Sequence, residues 1–484
     1  MPRTWTSSKR ANRVEPKASE SLLEAQSRKD ANFSEVEARL PKRYARSEMG
    51  FIDKRMSFLG SHNPFGRKAC PRDNTVWVLD NTAYKPTRQG DDTAQPWEAE
   101  FVSYFFGSGG RDQTKSLNGL AEVMGLGDNT ARDPETRKRM EERLKPLLMT
   151  IAPARTVEIL IPSPDADGSP QTRVLGPSGS DGISSQTVAV GGSDEADGKT
   201  ITCTSEGEQF PGLSCKTRYV GPEGWAIISD IDDTVKTTQT PSPAGILRFT
   251  FTDTPKTVAG MEEFYKVLAE SFRSPAWFYL SASPYNLYPF LREFLIEHYP
   301  PGTIILRDAR WLHFGGLLQS FTAGVQEYKT SRIEKIRSWL PDRQFICVGN
   351  STQSDPEAYA QMYAKYPGWI KAIYIRKVLD APHMEERNKN QRFIEAFKDV
   401  PDHVWRVFIQ PQELSDHIKH LAGQAHPGMI GTLLGRWCQT EHDMKAIPRK
   451  GQLALPPLSP TAGTAMDAPS PLPADDATVG TGTA

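Results

Sequence analysis

The sequence predicts an α/β protein whose larger domain contains a parallel β-sheet with helices on both faces, preceded by a smaller β-rich domain. From about residue 220 onward, short apolar stretches typical of buried strands alternate with stretches whose apolar residues recur at helical spacing. Between about residues 75 and 219, strand-like stretches are separated by turns rich in Gly, Ser, Asp and Pro. The two ends of the chain lack both patterns, so we expect them to be disordered.

The first part of the chain divides into an arm and the β-rich domain. Residues 1–70 are polar and charged, and we expect them to form a mostly disordered arm. Aromatic side chains follow the basic cluster at residues 41–46, so contact with a membrane surface is an open alternative there. Residues 71–219 are expected to form the β-rich domain, with strands such as residues 155–161.

The second part divides into the α/β domain and a tail. Residues 220–423 contain the alternating strand and helix patterns, and residues 424–484 lose them. After residue 450 the chain is dominated by Pro, Ala, Thr and Gly, which cannot bury a core. The proline spacing at residues 455–460 would suit an SH3 domain, which makes such proteins candidate partners.

The most informative segment is the apolar run at residues 225–228, which leads into Asp230, Asp232, Asp233 and Thr234. Open α/β sheets bind their ligands at the carboxyl ends of the strands. A strand that ends here would bring three carboxylates and a hydroxyl to that edge. Carboxylates packed so closely repel each other unless a positive charge compensates, so a divalent cation is the expected partner. The alternative is an ordinary acidic turn after a core strand.

Three further segments combine an apolar pattern with polar residues. One strand-like stretch ends at Ser281. Another ends at Asn350, and Asp355 follows it. Between the two, Lys329 opens an amphipathic helical stretch. Each of these alone could equally be a core strand with a turn, or a solvated lysine. Only their common order along the chain indicates a shared site.

In this order, the four segments resemble the motifs of the haloacid dehalogenase superfamily of phosphotransferases, whose catalytic domain is Rossmann-like with a parallel sheet. The resemblance implies that Asp230 attacks phosphorus and forms an aspartyl-phosphate. It also implies that Asp232 acts first as general acid and then as general base. An acid at this second position is typical of the phosphatases of the superfamily, whereas its ion pumps have Thr there.

The same resemblance implies the remaining roles in the site. Thr234 would orient the phosphoryl group, Ser281 would donate a hydrogen bond to its oxygens, and Lys329 would balance its charge. Magnesium is implied as the cofactor. Its ligands would be Asp230, Asp232 through the backbone carbonyl, Asn350 and Asp355.

Asn350 departs from the superfamily pattern, which has Asp at this position. The side chain of Asn offers a carbonyl oxygen to a cation but no negative charge. We therefore expect a lower magnesium affinity than in a site with all acids present. A catalytically inactive descendant is left open by this substitution.

More closely, the chain resembles the fungal actin-patch phosphatidate phosphatase family over roughly residues 50–420. The segments that carry this resemblance are residues 175–187, 221–225, 281–291 and 355–359. It implies a magnesium-dependent phosphatase that converts phosphatidate to diacylglycerol and acts on related phospholipids. It further implies a cytoplasmic protein that is peripherally associated with membranes, at cortical actin patches.

The composition excludes several other classes of function. The net charge of the 484-residue chain is -1, so no general attraction to nucleic acid is expected. No apolar run reaches the ~18 residues of a transmembrane helix, and the polar start does not resemble a secretory signal. The five cysteines show neither zinc spacing nor a disulfide framework, which fits a reducing cytoplasm.

Two other functions remain open. A phosphatase of soluble phosphomonoesters would share every motif residue and differ only in what covers the mouth of the site. The apolar stretch at residues 311–318 could be either core or a lip at that mouth. A catalytically silent lipid-binding adaptor of the same fold is the other alternative, and Asn350 favours it.

Deleting residues 451–484 is expected to leave the melting temperature and the specific activity nearly unchanged. The segment is so poor in large apolar side chains that it has little surface to bury. Thermal melting and a phosphatase assay of the shortened chain beside the full chain test this expectation. A large loss of thermal stability would show instead that the tail docks on the folded part.

Overall fold

The computed structural model describes residues 21–40, 66–86, 96–107, 133–207, 209–308 and 314–425. These residues form two β-sheets and a set of helices. One of the sheets is parallel, and helices lie between its strands along the chain. The predicted α/β class is therefore confirmed.

The first sheet is mixed and is built from residues 67–219. Its described strands are β1 (Arg67–Lys68), β2 (Asn74–Val78), β3 (Asn81–Tyr84), β4 (Glu98–Gly107), β5 (Thr150–Ile151), β6 (Arg155–Ile161), β7 (Gln171–Leu175), β8 (Ile183–Ala189), β9 (Thr200–Ser205) and β10 (Ser214–Tyr219). The order is β1-β6-β9-β10-β3-β4-β2, with β5 and β8 paired to β4 and β7 paired to β6. Both sheets fall in one compact unit, so a separate β-rich domain ending at residue 219 stays a prediction.

The second sheet is parallel and has the order β13-β12-β11-β14-β15-β16. Its strands are β11 (Trp225–Asp230), β12 (Ala276–Pro284), β13 (Thr303–Arg307), β14 (Gln344–Asn350), β15 (Ile370–Arg376) and β16 (Trp405–Phe408). The strand that carries the predicted nucleophile, β11, lies between β12 and β14. The three strands with the predicted motifs are thus direct neighbours.

The apolar character of these strands follows from their burial on both faces. In β11, Ile227 packs in one hydrophobic cluster, whereas Ala226 and Ile228 pack in another. The same alternation holds in β14, where Ile346 and Cys347 belong to different clusters. A parallel sheet covered on both faces needs apolar residues at successive positions, which is the pattern that the sequence shows.

Of the described helices, those between residues 243 and 396 connect strands of this sheet, three precede it along the chain and one follows it. They are α1 (Leu22–Asp30), α2 (Phe33–Arg39), α3 (Pro134–Leu148), α4 (Pro243–Phe251), α5 (Met261–Ser271), α6 (Tyr288–His298), α7 (Phe314–Thr322), α8 (Val325–Trp339), α9 (Asp355–Lys365), α10 (Asn390–Ala396) and α11 (Ser415–Ala425), with 3-10 turns at Asp194–Ala196, Tyr285–Leu287 and Pro411–Leu414. Within the described ranges, no helix combines the length and apolarity needed to cross a bilayer.

Part of the predicted arm is ordered. Helices α1 and α2 lie within it, and Phe33 and Leu40 are buried in the same hydrophobic cluster as Leu317 and Phe321 of α7. The expectation of disorder does not hold for residues 21–40, because their few apolar side chains pack on a distant helix. The basic cluster at residues 41–46, the segment 309–313 and the tail from residue 426 onward lie outside the described residues.

Candidate active site

The predicted site residues come together at the carboxyl ends of β11, β12 and β14. Because these strands are neighbours in a parallel sheet, their ends meet at one edge. All seven side chains are buried, and none is more than 2% exposed: Asp230, Asp232, Thr234, Ser281, Lys329, Asn350 and Asp355. The four segments therefore converge as the sequence predicted, while the chemical role of each residue has to be argued from its contacts.

Lys329 is the central cation of the site. It lies in the second turn of α8, and its ammonium group donates to Asp230 Oδ1 (2.6 Å), to Gln353 Oε1 (3.0 Å) and to Asp355 Oδ1. Burial alone would lower the pKa of Lys329, but the two carboxylates outweigh it and the pKa is raised. Burial raises the pKa of Asp230, and Lys329 opposes that shift. One ammonium group thus holds two buried carboxylates together.

The second carboxylate oxygen of Asp230 accepts from two other residues. Thr234 Oγ1 and Asn350 Nδ2 each lie 2.9 Å from Asp230 Oδ2. The same Asn350 nitrogen also lies 2.9 Å from the backbone oxygen of Asp232 and 2.9 Å from Thr234 Oγ1. Asn350 therefore contacts the first motif, as its match to the superfamily pattern predicted. It does so with its amide N–H group and not with an oxygen.

The orientation of the Asn350 amide is determined by Thr352. The backbone N–H of Thr352 donates to Asn350 Oδ1 at 2.6 Å, and the Thr352 hydroxyl donates to the same oxygen at 2.5 Å. A backbone N–H can only donate, so the atom it contacts must be the carbonyl oxygen. The amide nitrogen then necessarily faces Asp230. To serve as a cation ligand, Asn350 would have to turn and give up both contacts with Thr352.

The Asp232 carboxylate is held by hydroxyl groups from two segments. Ser281 and Ser283 donate to Asp232 Oδ2 at 2.6 and 2.9 Å, and Thr238 donates to Oδ1 at 2.8 Å. Ser281 thus contacts the candidate acid and base in this structure, and its role toward phosphoryl oxygens stays a prediction. The contact of Ser283 with Asp232 was not predicted. Ser281 and Ser283 are two residues apart in β12, and such residues point to the same face of a strand.

Two further residues lie around the first motif: Lys236, which was not predicted, and Asp233, which was expected at this edge without a role of its own. Lys236 is buried, and its Nζ lies 3.6 Å from Asp232 Oδ1. Asp233 adopts a left-handed backbone conformation (φ 62°), and its carboxylate accepts from the backbone N–H groups of Thr238, Gln239 and Thr240. Asp233 therefore folds the turn that follows the motif. Nothing in the sequence indicated that Lys236 would be buried.

The donor set fits a hard cation only in part. Asp230 Oδ2 and the backbone oxygen of Asp232 converge on one point, and such oxygens are what magnesium prefers. The Asn350 nitrogen lies at that point instead of an oxygen. Among the described residues, no three His, Cys, Asp or Glu side chains are arranged to hold a metal ion. A cation at this point would be bound by these two oxygens, by water, and by the carbonyl oxygen of Asn350 after its amide had turned.

Comparisons with known proteins agree with this geometry. Residues 225–377, which include all seven site residues, match the model of the catalytic domain of phosphatidate phosphatase APP1. The chain is 31% identical over 191 residues to phosphatidate phosphatase APP1 of Saccharomyces cerevisiae, which covers 38% of this chain and 31% of the yeast protein. It is also 31% identical over 185 residues to an uncharacterized protein of Schizosaccharomyces pombe, covering 37% and 29% of the two chains.

The aligned region spans about a third of the length of these curated relatives. The family-model match at residues 225–377 contains strands β11 to β15 of the parallel sheet and the edge at which the buried carboxylates, hydroxyls and lysine meet. Residues 225–377 of this chain are thus similar to the catalytic domain of phosphatidate phosphatase APP1.

Proposed function

We propose that this protein is a phosphatidate phosphatase that releases inorganic phosphate and diacylglycerol through an aspartyl-phosphate on Asp230. The observation that carries the proposal is the contact of Asp230 with Lys329, 2.6 Å long, at the end of β11 with Asp232 two residues away. The match of residues 225–377 to the APP1 catalytic domain supports the substrate class. Related phospholipids with a terminal phosphate are included in the proposal.

The proposed reaction has two displacements. In the first, a carboxylate oxygen of Asp230 bonds to phosphorus, the ester P–O bond breaks, and Asp232 gives its proton to the departing alkoxide of diacylglycerol. In the second, Asp232 takes a proton from water as the water oxygen attacks the same phosphorus and Asp230 leaves. Ser281, Ser283 and Thr238 hold the carboxylate of Asp232 in place for both proton transfers.

Charge compensation is the other requirement of phosphoryl transfer. Lys329 is positioned for it by its contacts with Asp230 and Asp355. We propose that Mg²⁺ completes this charge compensation. It would be held by Asp230, by the backbone oxygen of Asp232 and by Asn350 after its amide turns, with Asp355 nearby. When bound, it would neutralise charge on the phosphoryl oxygens. The energetic cost of turning Asn350 implies weak binding of the cation.

The finer architecture and location are part of the same proposal. The arrangement of the motifs on β11, β12, α8 and β14 supports a haloacid-dehalogenase-like domain, with the mixed sheet as a preceding β-rich domain. A phospholipid substrate requires access from a membrane surface, so we propose a cytoplasmic protein that associates peripherally, at cortical actin patches. SH3-domain proteins that bind residues 455–460 remain candidate partners.

Phosphate release from phosphatidate in mixed detergent micelles, with and without Mg²⁺, tests the proposed function. A soluble phosphomonoester is assayed in parallel. We expect release from phosphatidate that increases with Mg²⁺ and is much faster than release from the soluble ester. Equal or faster hydrolysis of the soluble ester would assign the protein to the soluble phosphomonoesterases.

The orientation of Asn350 supports a second candidate function. Its amide donates to Asp230 and Asp232 where a cation ligand would be needed. A lipid-binding adaptor without catalytic activity would tolerate this arrangement. Binding of the chain to phosphatidate vesicles without release of phosphate from either substrate, at any Mg²⁺ concentration, would favour the adaptor.

A further inference from the structure

The two helices that carry charged residues of the site begin without capping side chains of their own. The N-cap of α8 is Gly324, which has a left-handed backbone (φ 62°) and no side chain. The N-cap of α9 is Ser354, whose hydroxyl makes no capping bond within α9. Free N–H groups at a helix N-terminus need an acceptor when they are buried. At the start of α8 the acceptor comes from a distant segment of the chain.

Glu24 of α1 supplies that acceptor from 300 residues away. Its Oε1 accepts from the N–H of Val325 at 3.0 Å, and its Oε2 accepts from the N–H of Gly324 at 3.2 Å. The hydroxyl of Ser354 also donates to Oε1 at 3.0 Å. One carboxylate thus joins the first residues of α8 to the N-cap of α9.

The Glu24 side chain is held in this position by burial and by several contacts. It is 6% exposed, and within α1 it forms a reciprocal pair with Ser21, whose backbone N–H donates to Oε2 at 3.0 Å. Arg28, one turn later in α1, donates to Thr322 at the end of α7. The segment is further anchored by the buried side chain of Phe33. These contacts bring the carboxylate to the start of α8 with little freedom.

We propose that Glu24 is a positioning residue for the phosphatase reaction. A negative charge at the N-termini of α8 and α9 stabilises both helices where they begin. Lys329 lies one turn into α8 and Asp355 is the first residue of α9, so the placement of both relative to Asp230 depends on how those turns are held. The arm at residues 21–40 thereby completes the catalytic centre.

This proposal rests on the proposed function, and its test compares matched variants of the full chain. Glu24→Gln removes the charge with little change in size, and Glu24→Ala removes the whole acceptor. Glu35→Gln is the control, because Glu35 lies in the same arm but is exposed. Three measurements are made: steady-state kinetics on phosphatidate micelles, which give kcat and apparent KM; thermal melting; and hydrogen exchange at the amides of residues 324–326.

Glu24→Gln is expected to lower kcat about tenfold, because small displacements of reacting groups have large effects on rate. The apparent KM should stay unchanged, since Glu24 does not contact the substrate. Exchange at residues 324–326 should become faster in both Glu24 variants, with the larger effect in Glu24→Ala. The Glu35→Gln protein should match the parent in all three measurements.

Three outcomes would overturn the proposal. If exchange at residues 324–326 did not change, Glu24 would not bind these amides in solution. If exchange increased while kcat stayed at the parental value, Glu24 would be only a structural cap. A parent chain that releases no phosphate would refute the proposed function and the positioning role with it, and the exchange data would then still report whether Glu24 binds α8. Should Glu24→Ala fail to fold, the Glu24→Gln comparison decides alone.

Discussion

Replacing Asp230 by Asn is expected to reduce phosphate release from phosphatidate by at least about a thousandfold, because the amide that replaces the carboxylate is a poor nucleophile. The exchange keeps the size of the side chain, and its carbonyl oxygen can still accept from Thr234 and Asn350. Lys329 retains its contacts with Asp355 and Gln353. The variant should therefore remain folded.

Phosphate release and thermal melting of the Asp230→Asn protein are measured beside the parent. Asp342→Asn is the matched control, since Asp342 is exposed and precedes β14 at the opposite end of that strand from the site. It should show parental activity. If Asp230→Asn kept more than about a tenth of the activity, the aspartyl-phosphate mechanism would be wrong.

The meeting of the site residues at one edge of the sheet was predictable, because it follows from patterns in adjacent residues and from the geometry of parallel strands. An apolar strand followed by Asp230 can be identified from adjacent residues, and the ends of parallel strands meet at one edge of the sheet. The same reasoning correctly brought Ser281 and Asn350 to that edge. The α/β class and the meeting of the predicted site residues therefore follow from short segments and their order.

Other features of the site could not be predicted because they depend on contacts between distant residues. The orientation of Asn350 is determined by a backbone N–H two residues later, and the sequence does not show which end of an amide will face a carboxylate. Glu24 belongs to a polar segment of the kind that is usually solvated, and its partners at residues 324–326 are 300 residues away. Burial of Lys236 beside Asp232 likewise emerges only from packing.

The Asn350→Asp protein should be markedly less stable than the parent in the absence of metal. The change removes an amide that donates to Asp230 Oδ2 and to the backbone oxygen of Asp232, and it places a third carboxylate near Asp230 and Asp355 in a site closed to solvent. An uncompensated buried charge destabilises a protein by ~3–5 kcal/mol. Thermal melting in the presence of a metal chelator measures this loss of stability directly.

Mg²⁺ should restore much of the stability that the Asn350→Asp protein lacks without metal. The new carboxylate adds a full negative charge where Asp230 Oδ2 and the Asp232 backbone oxygen already converge, and each added carboxylate strengthens the binding of a hard cation. We expect the concentration of Mg²⁺ for half-maximal activity to fall by about tenfold or more, since 1.4 kcal/mol of added attraction is enough for that change. A metal titration of activity and of the melting temperature measures both effects.

The matched control for this exchange is Asn390→Asp, which adds the same charge at an exposed position at the start of α10. It should leave the metal dependence of melting and of activity unchanged. In the parent, binding of a cation has to turn the Asn350 amide away from Thr352, whereas an Asp at this position can keep one oxygen on Thr352 and offer the other to the cation. If Asn350→Asp altered neither the melting temperature in Mg²⁺ nor the Mg²⁺ requirement of activity, the cation would bind elsewhere, and the alignment of Asn350 with the metal-binding acid of the superfamily would have to be abandoned.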